Sequence, residues 1–150
     1  MSSLFAFLHF IAAFALVGAL TAQLVLLSQE ISPPVVRRLR VADAVYGAAA
    51  TLVAAAGLLR VFYFEKGAAY YFFNAAFLAK LALFLLVGLL SIYPTLKFLA
   101  WHRAVKAGAA PRVEAKTQAA LRATLRLELA GVALLILCAS LMAHGVGSLG

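Results

Sequence analysis

Residues 4–27 read LFAFLHFIAAFALVGALTAQLVLL, a run without a single Asp, Glu, Lys or Arg. An α-helix rises about 1.5 Å per residue, so about 20 apolar residues cross the hydrocarbon layer of a bilayer. This run is long enough to do so, and its only polar breaks are His9, Thr21 and Gln23. No Lys or Arg precedes it, no small-x-small cleavage site stands out, and it stays apolar to Leu27. It therefore reads as a retained helix rather than a cleaved signal peptide.

Three further runs follow, and the spans expected are 4–28, 41–64, 75–96 and 127–144. Asn74 is a good N-cap for the third. Pro94 either kinks that helix or ends it, with the apolar pattern continuing to Trp101. The amphipathic stretch 113–126 reads as an extension of the fourth helix. The fold class is all-α, an integral membrane four-helix bundle formed by residues 1–150 as one domain. Composition agrees: 66% of residues are apolar and 12% charged, with mean hydropathy +1.04. A soluble domain has roughly 45–50% apolar and ~25% charged residues. The lone Cys138 excludes an internal disulfide and a cysteine-based zinc site.

The net charge of +8 would suggest nucleic acid in a soluble protein. Here its distribution points to topology instead. Arg37, Arg38 and Arg40 lie before the second span, and Lys97, Arg103, Lys106, Arg112, Lys116, Arg122 and Arg126 lie between the third and fourth. The connection Glu65-Lys66-Gly67 is neutral overall. The positive-inside rule places both basic stretches in the cytoplasm and both termini on the outer, periplasmic side. Tyr63, Tyr70 and Tyr71 then mark the outer interface, and Tyr93 and Trp101 the inner one. Gly47, Ala50, Ala54 and Gly57 form a small-residue stripe suited to close helix packing.

Ionisable groups inside a membrane are costly and mark functional candidates. His9, Arg60, Lys80 and His144 all fall in the outer half, with Glu65 as the only nearby acid. His9, Leu16, Gln23 and Glu30 are spaced by seven on one side of the first helix. Lys80, Phe84, Val87 and Ser91 share a stripe on the third, so His9 and Lys80 are both expected inside the bundle. His9 is either a hydrogen-bonded interior histidine or a metal or haem ligand. His144 is either solvated or a second ligand. Lys80 is either structural or an anion-binding group, and Arg60 either snorkels to the headgroups or meets an anion. His102 reads as a surface residue, and Glu128 and Arg126 as an interfacial pair. The candidate cofactor-binding residues are thus His9, Lys80, His144 and Arg60, with His9 and His144 as candidate metal ligands. Phosphate-loop and Ser/His/Asp patterns are absent, and no catalytic residue is identified.

The stretch Gly57-Leu-Leu-Arg-Val-Phe-Tyr-Phe-Glu-Lys-Gly-Ala-Ala-Tyr-Tyr71, then Asn74 and the run from Lys80 to Thr95, resembles the domain of unknown function 2214 family. These are small bacterial inner-membrane proteins, and the resemblance covers nearly the whole chain. More remotely, a histidine early in the first helix and a lysine early in the third are similar to CopD-like copper-resistance proteins and HemJ-type protoporphyrinogen oxidases. The HemJ-type resemblance implies haem b as cofactor, with ligand and functional roles falling on His9 and Lys80. The HemJ-type Trp-Phe-Ala-Gly and Leu-Pro-Arg stretch is absent, since His9 is followed by Phe10-Ile11-Ala12. Two function classes stay open. One is a haem- or metal-binding membrane oxidoreductase. The other is a non-enzymatic membrane protein, either copper-handling or an accessory subunit. Only Met1 and Met142 are available for a methionine-rich copper entry site. Partners compatible with this reading are the lipid bilayer, a second copy of the chain, and a haem or quinone-type redox partner; nucleic acid is not among them.

Overall fold

A computed structural model describes residues 2–64, 69 and 72–144. Four helices account for nearly all of them: α1 (Ser2–Leu27), α2 (Pro33–Leu59), α3 (Ala75–Lys106) and α4 (Ala115–Ala143). A π-helical turn, Arg60–Phe64, continues α2. All four are long and apolar enough to cross a membrane. The all-α bundle expected from the sequence is the architecture found.

Each boundary has a local cause. Ser28 turns its hydroxyl onto the Val25 carbonyl (2.6 Å) as α1 ends. Pro33 and Pro34 open α2, where an amide hydrogen would have no helical partner anyway. The Asn74 side chain accepts from the Phe77 amide (3.1 Å) and so caps α3. Gly108, at φ +78°, closes the other end of α3 in a conformation that glycine adopts without a Cβ clash. Pro94 lies inside α3, fully buried, and the helix runs on to Lys106. Much of the long basic stretch between the third and fourth spans is therefore helical, with only 107–114 as connector. A helix can tolerate an internal proline in a membrane protein because neighbouring packing holds it straight or gently bent.

The helices form a ring in chain order, each antiparallel to the next, and α4 closes against α1. Packing is closest within the hairpins α1/α2 and α3/α4. One end of the bundle carries the chain termini and the connection after α2; we call it the terminal end. The other carries the connections 28–32 and 107–114 and most of the Lys and Arg; we call it the basic end. The side chains sealed most completely, among them Leu27, Val36, Leu39, Phe98, Leu121 and Leu125, cluster toward the basic end. There Gln118 of α4 donates to the carbonyls of Leu27 and Gln29 (3.1 Å to the latter), satisfying acceptors that the end of α1 leaves open. At the terminal end, among the described residues, Val61 and Phe77 form a small cluster with Met142 beside it.

The outer surface is apolar: Phe14 is 75% and Leu89 66% exposed, while Gln23 and Glu128 are each 1% exposed. Large apolar patches on the outside with polar groups within suit a lipid solvent. The small-residue stripe fits only in part. Gly57 lies at the α1/α2 seam, but Gly47 is exposed and has open space where a Cβ would stand. The buried side of α2 instead follows Tyr46, Ala49 and Ala56, one residue around the helix.

Candidate functional site

The polar stripe of α1 turns inward. Leu16 and Gln23 are buried and His9 is half-buried, while Glu30 lies beyond the helix and is exposed. On α3, Lys80, Phe84 and Ser91 are half-buried and Val87 is buried. At the terminal end the two stripes come within electrostatic reach of each other. The His9 ring lies against α2, with Cε1 3.7 Å and Nδ1 3.9 Å from where a Cβ on Gly57 would stand. A larger residue at 57 would narrow the seam. His9 also lies beside the Val53 carbonyl, and Lys80 and Arg60 are the cations whose charge reaches it. Its Nδ1 is buried without a hydrogen-bond partner. Arg60 is the first residue of the π-helical turn. Such turns change which side chains face a neighbour and recur at functional sites.

The structure thus brings His9, Lys80 and Arg60 together from three helices. It does not add His144 to them. That residue caps α4, is exposed, and holds its Nδ1 2.8 Å from the Ser140 carbonyl of its own helix. Tyr63 is exposed. Glu65, Lys66, Tyr70 and Tyr71 lie outside the described residues. Among the described residues no three of His, Cys, Asp and Glu converge as a metal-binding group.

A second polar layer escaped the sequence reading. Asp43 of α2 accepts from the Thr95 hydroxyl of α3 (2.7 Å) and pairs with Arg40 (3.3 Å). One turn further along α2, the buried Tyr46 lies beside Ser91 of α3 and Glu128 of α4. Glu128 is not an interfacial partner of Arg126. Residues two apart on a helix point in nearly opposite directions, so Arg126 is exposed while Glu128 is sealed in the bundle. Neither Glu128 oxygen completes a hydrogen bond. His102 departs from expectation too: it lies on α3, half-buried, with its Nδ1 enclosed. One sequence signal could have found Glu128. Leu121, Leu125, Glu128 and Val132 follow 4-3-4 spacing, so the acid stands on the buried stripe of α4.

Comparison with known protein families gives a match. The model of a predicted membrane protein family, DUF2214, matches residues 1–147. No curated protein and no solved structure matches the chain significantly. With nearly every residue inside the match, and four helices fit to cross a membrane, the chain belongs to the DUF2214 family of predicted membrane proteins.

Proposed function

We propose that this is a bacterial inner-membrane redox protein that holds a b-type haem in the terminal-end half of its bundle, with His9 as an iron ligand. The observation that carries the reading is the His9 imidazole, whose buried Nδ1 has no partner and whose ring is flanked by Lys80 and Arg60. A buried polar atom left unpaired costs about 1–3 kcal/mol. A ligand that uses this ring nitrogen would remove that cost. A neutral imidazole nitrogen is a good donor to iron, copper or zinc. The surroundings favour haem over a bare ion. A protein-held zinc ion needs about four donors, and His9 stands without two further His, Cys, Asp or Glu groups nearby among the described residues. A porphyrin brings four nitrogens of its own, and its carboxylates match two cations.

In this reading a haem supplies one-electron transfer, and the chain's residues hold and orient it. His9 fixes the iron side. Arg60 and Lys80 would meet its anionic groups. The Nδ1 of His144 is taken by the Ser140 carbonyl, so Nε2 is the nitrogen that a second ligand from α4 would offer. The positive-inside rule orients the protein with the basic end in the cytoplasm and the haem toward the periplasm.

Purification in mild detergent from cells with ample haem tests this, with an absorption spectrum and metal analysis of the product. The expected result is a Soret band and iron in proportion to protein. A colourless, metal-free protein would replace this reading with that of a non-enzymatic accessory subunit.

A further inference from the structure

Among the described residues Glu128 is the most deeply sealed carboxylate, with the Tyr46 hydroxyl beside it and no full hydrogen bond on either oxygen. It lies away from the His9 site. Its level follows from the helix ends: Glu128 is thirteen residues from the start of α4, Tyr46 thirteen from the start of α2, and Ser91 fifteen from the end of α3. At about 1.5 Å per residue all three stand roughly 20 Å above the basic end. Asp43 and Thr95 stand roughly 5 Å lower by the same rise, and Arg40 lower again on the same helix. The apolar side chains of Leu16, Ala49, Val87 and Val132 complete the surrounding core. The polar groups therefore form a ladder, open at the basic end through Arg40 and closed at Glu128.

A carboxylate cannot stay ionised and unpaired in such a place without a large desolvation cost. Something positive must reach it. No cation lies within ion-pair reach of Glu128 among the described residues, since Arg40 is engaged by Asp43 and Arg126 faces outward. A hard metal ion asks for about six oxygens. Around Glu128 the side-chain hydroxyls are those of Tyr46 and Ser91, and Ser91 already gives its proton to the Gly88 carbonyl (2.6 Å). A proton asks for one oxygen only.

We propose that Glu128 is an intramembrane proton-binding site, with Tyr46 as its hydrogen-bonding companion and Asp43 as the way in from the basic end. The exchange is balanced and involves no electrons: a proton from water at the basic end passes by Asp43, bonds to a Glu128 oxygen, and leaves by the same route. The titratable and charged groups facing Glu128 are Tyr46 and Asp43 from α2, the latter tied to Arg40. From α3 the neutral Ser91 and Thr95 face this level, while Tyr93, exposed, and Lys97, set against the Tyr93 ring, stand on it but turn to the outside; from α1 the groups are apolar side chains and, lower down, Gln23. The proposal does not depend on haem at the other end.

Infrared spectroscopy of the full chain in phospholipid vesicles tests it. At neutral pH the wild type should show the carbonyl stretch of a protonated carboxylic acid. The band should shift in D2O, shift again with isotope-labelled glutamate but not labelled aspartate, and vanish in Glu128→Gln. Tyr46→Phe should move the band, and Asp43→Asn should slow its hydrogen–deuterium exchange several-fold. Labelled wild type keeps the test open should Glu128→Gln not fold. Absence of a glutamic-acid band at neutral pH would overturn the proposal, as would a band governed by sodium ions rather than by pH. An exchange rate unchanged in Asp43→Asn would overturn the basic-end route.

Discussion

Asp43 shows how much a single side chain does in this bundle. Its carboxylate ties α2 to α3 through Thr95 and holds Arg40 on its own helix. Hydrogen bonds between membrane helices contribute about 0.6–1.7 kcal/mol, and a buried acceptor that loses its donor costs more. Thr95→Val should therefore lower stability by about 1–2 kcal/mol, read as a shift in thermal unfolding in detergent. Thr95→Ser should retain most of the bond; equal losses in both variants would show that the hydroxyl contributes nothing. Asn74 gives a second residue-scale case. Removing its cap on Phe77 in Asn74→Ala should cost about 0.5–2 kcal/mol, with hydrogen exchange rising first at the start of α3. Exchange that rises equally along all of α3 would contradict a capping role.

At the scale of elements, the hairpin α3/α4 is set by one close approach. A Cβ on Gly131 would stand 2.5 Å from Cγ2 of Val87, a β-branched side chain with little freedom to move. Gly131→Ala should push α4 from α3 and cost about 1–3 kcal/mol, whereas Gly88→Ala meets open space and should be tolerated. Equal stability of the two variants would refute this packing. The sequence made the elements legible because a bilayer demands long apolar runs and the chain has four of them. It also made His9 and Lys80 legible, since seven-residue and 3-4 spacing put each on an inward stripe. It hid Glu128 because an acid two residues after Arg126, near the start of an apolar run, reads as an interface residue. Only the depth at which α4 packs shows otherwise. Gly47 misled for a related reason: a stripe of small residues has a direction, but the seam it meets is set by the partner helix.

Taken whole, the molecule has two polar layers separated by an apolar one. The layer near the termini gathers His9, Lys80 and Arg60, and the layer toward the basic end gathers Asp43, Tyr46 and Glu128. Among the described residues the first layer gathers basic groups and the second acids with one paired cation, Arg40, and ten of the thirteen Lys and Arg lie toward the basic end. If that end faces the cytoplasm, a reporter fused near Lys106 should be active only as a cytoplasmic reporter, and one at the C-terminus only as an exported one. The reverse pattern would invert the bundle and place the His9 layer on the cytoplasmic side. The central claim is that His9 binds the iron of a haem between these helices. The most direct test compares the absorption spectra of wild type and His9→Ala, purified alike with ample haem. The account predicts a Soret band in the wild type that is lost or shifted in His9→Ala, while far-ultraviolet circular dichroism shows the helices intact. A band unchanged in position and intensity in the variant would contradict it.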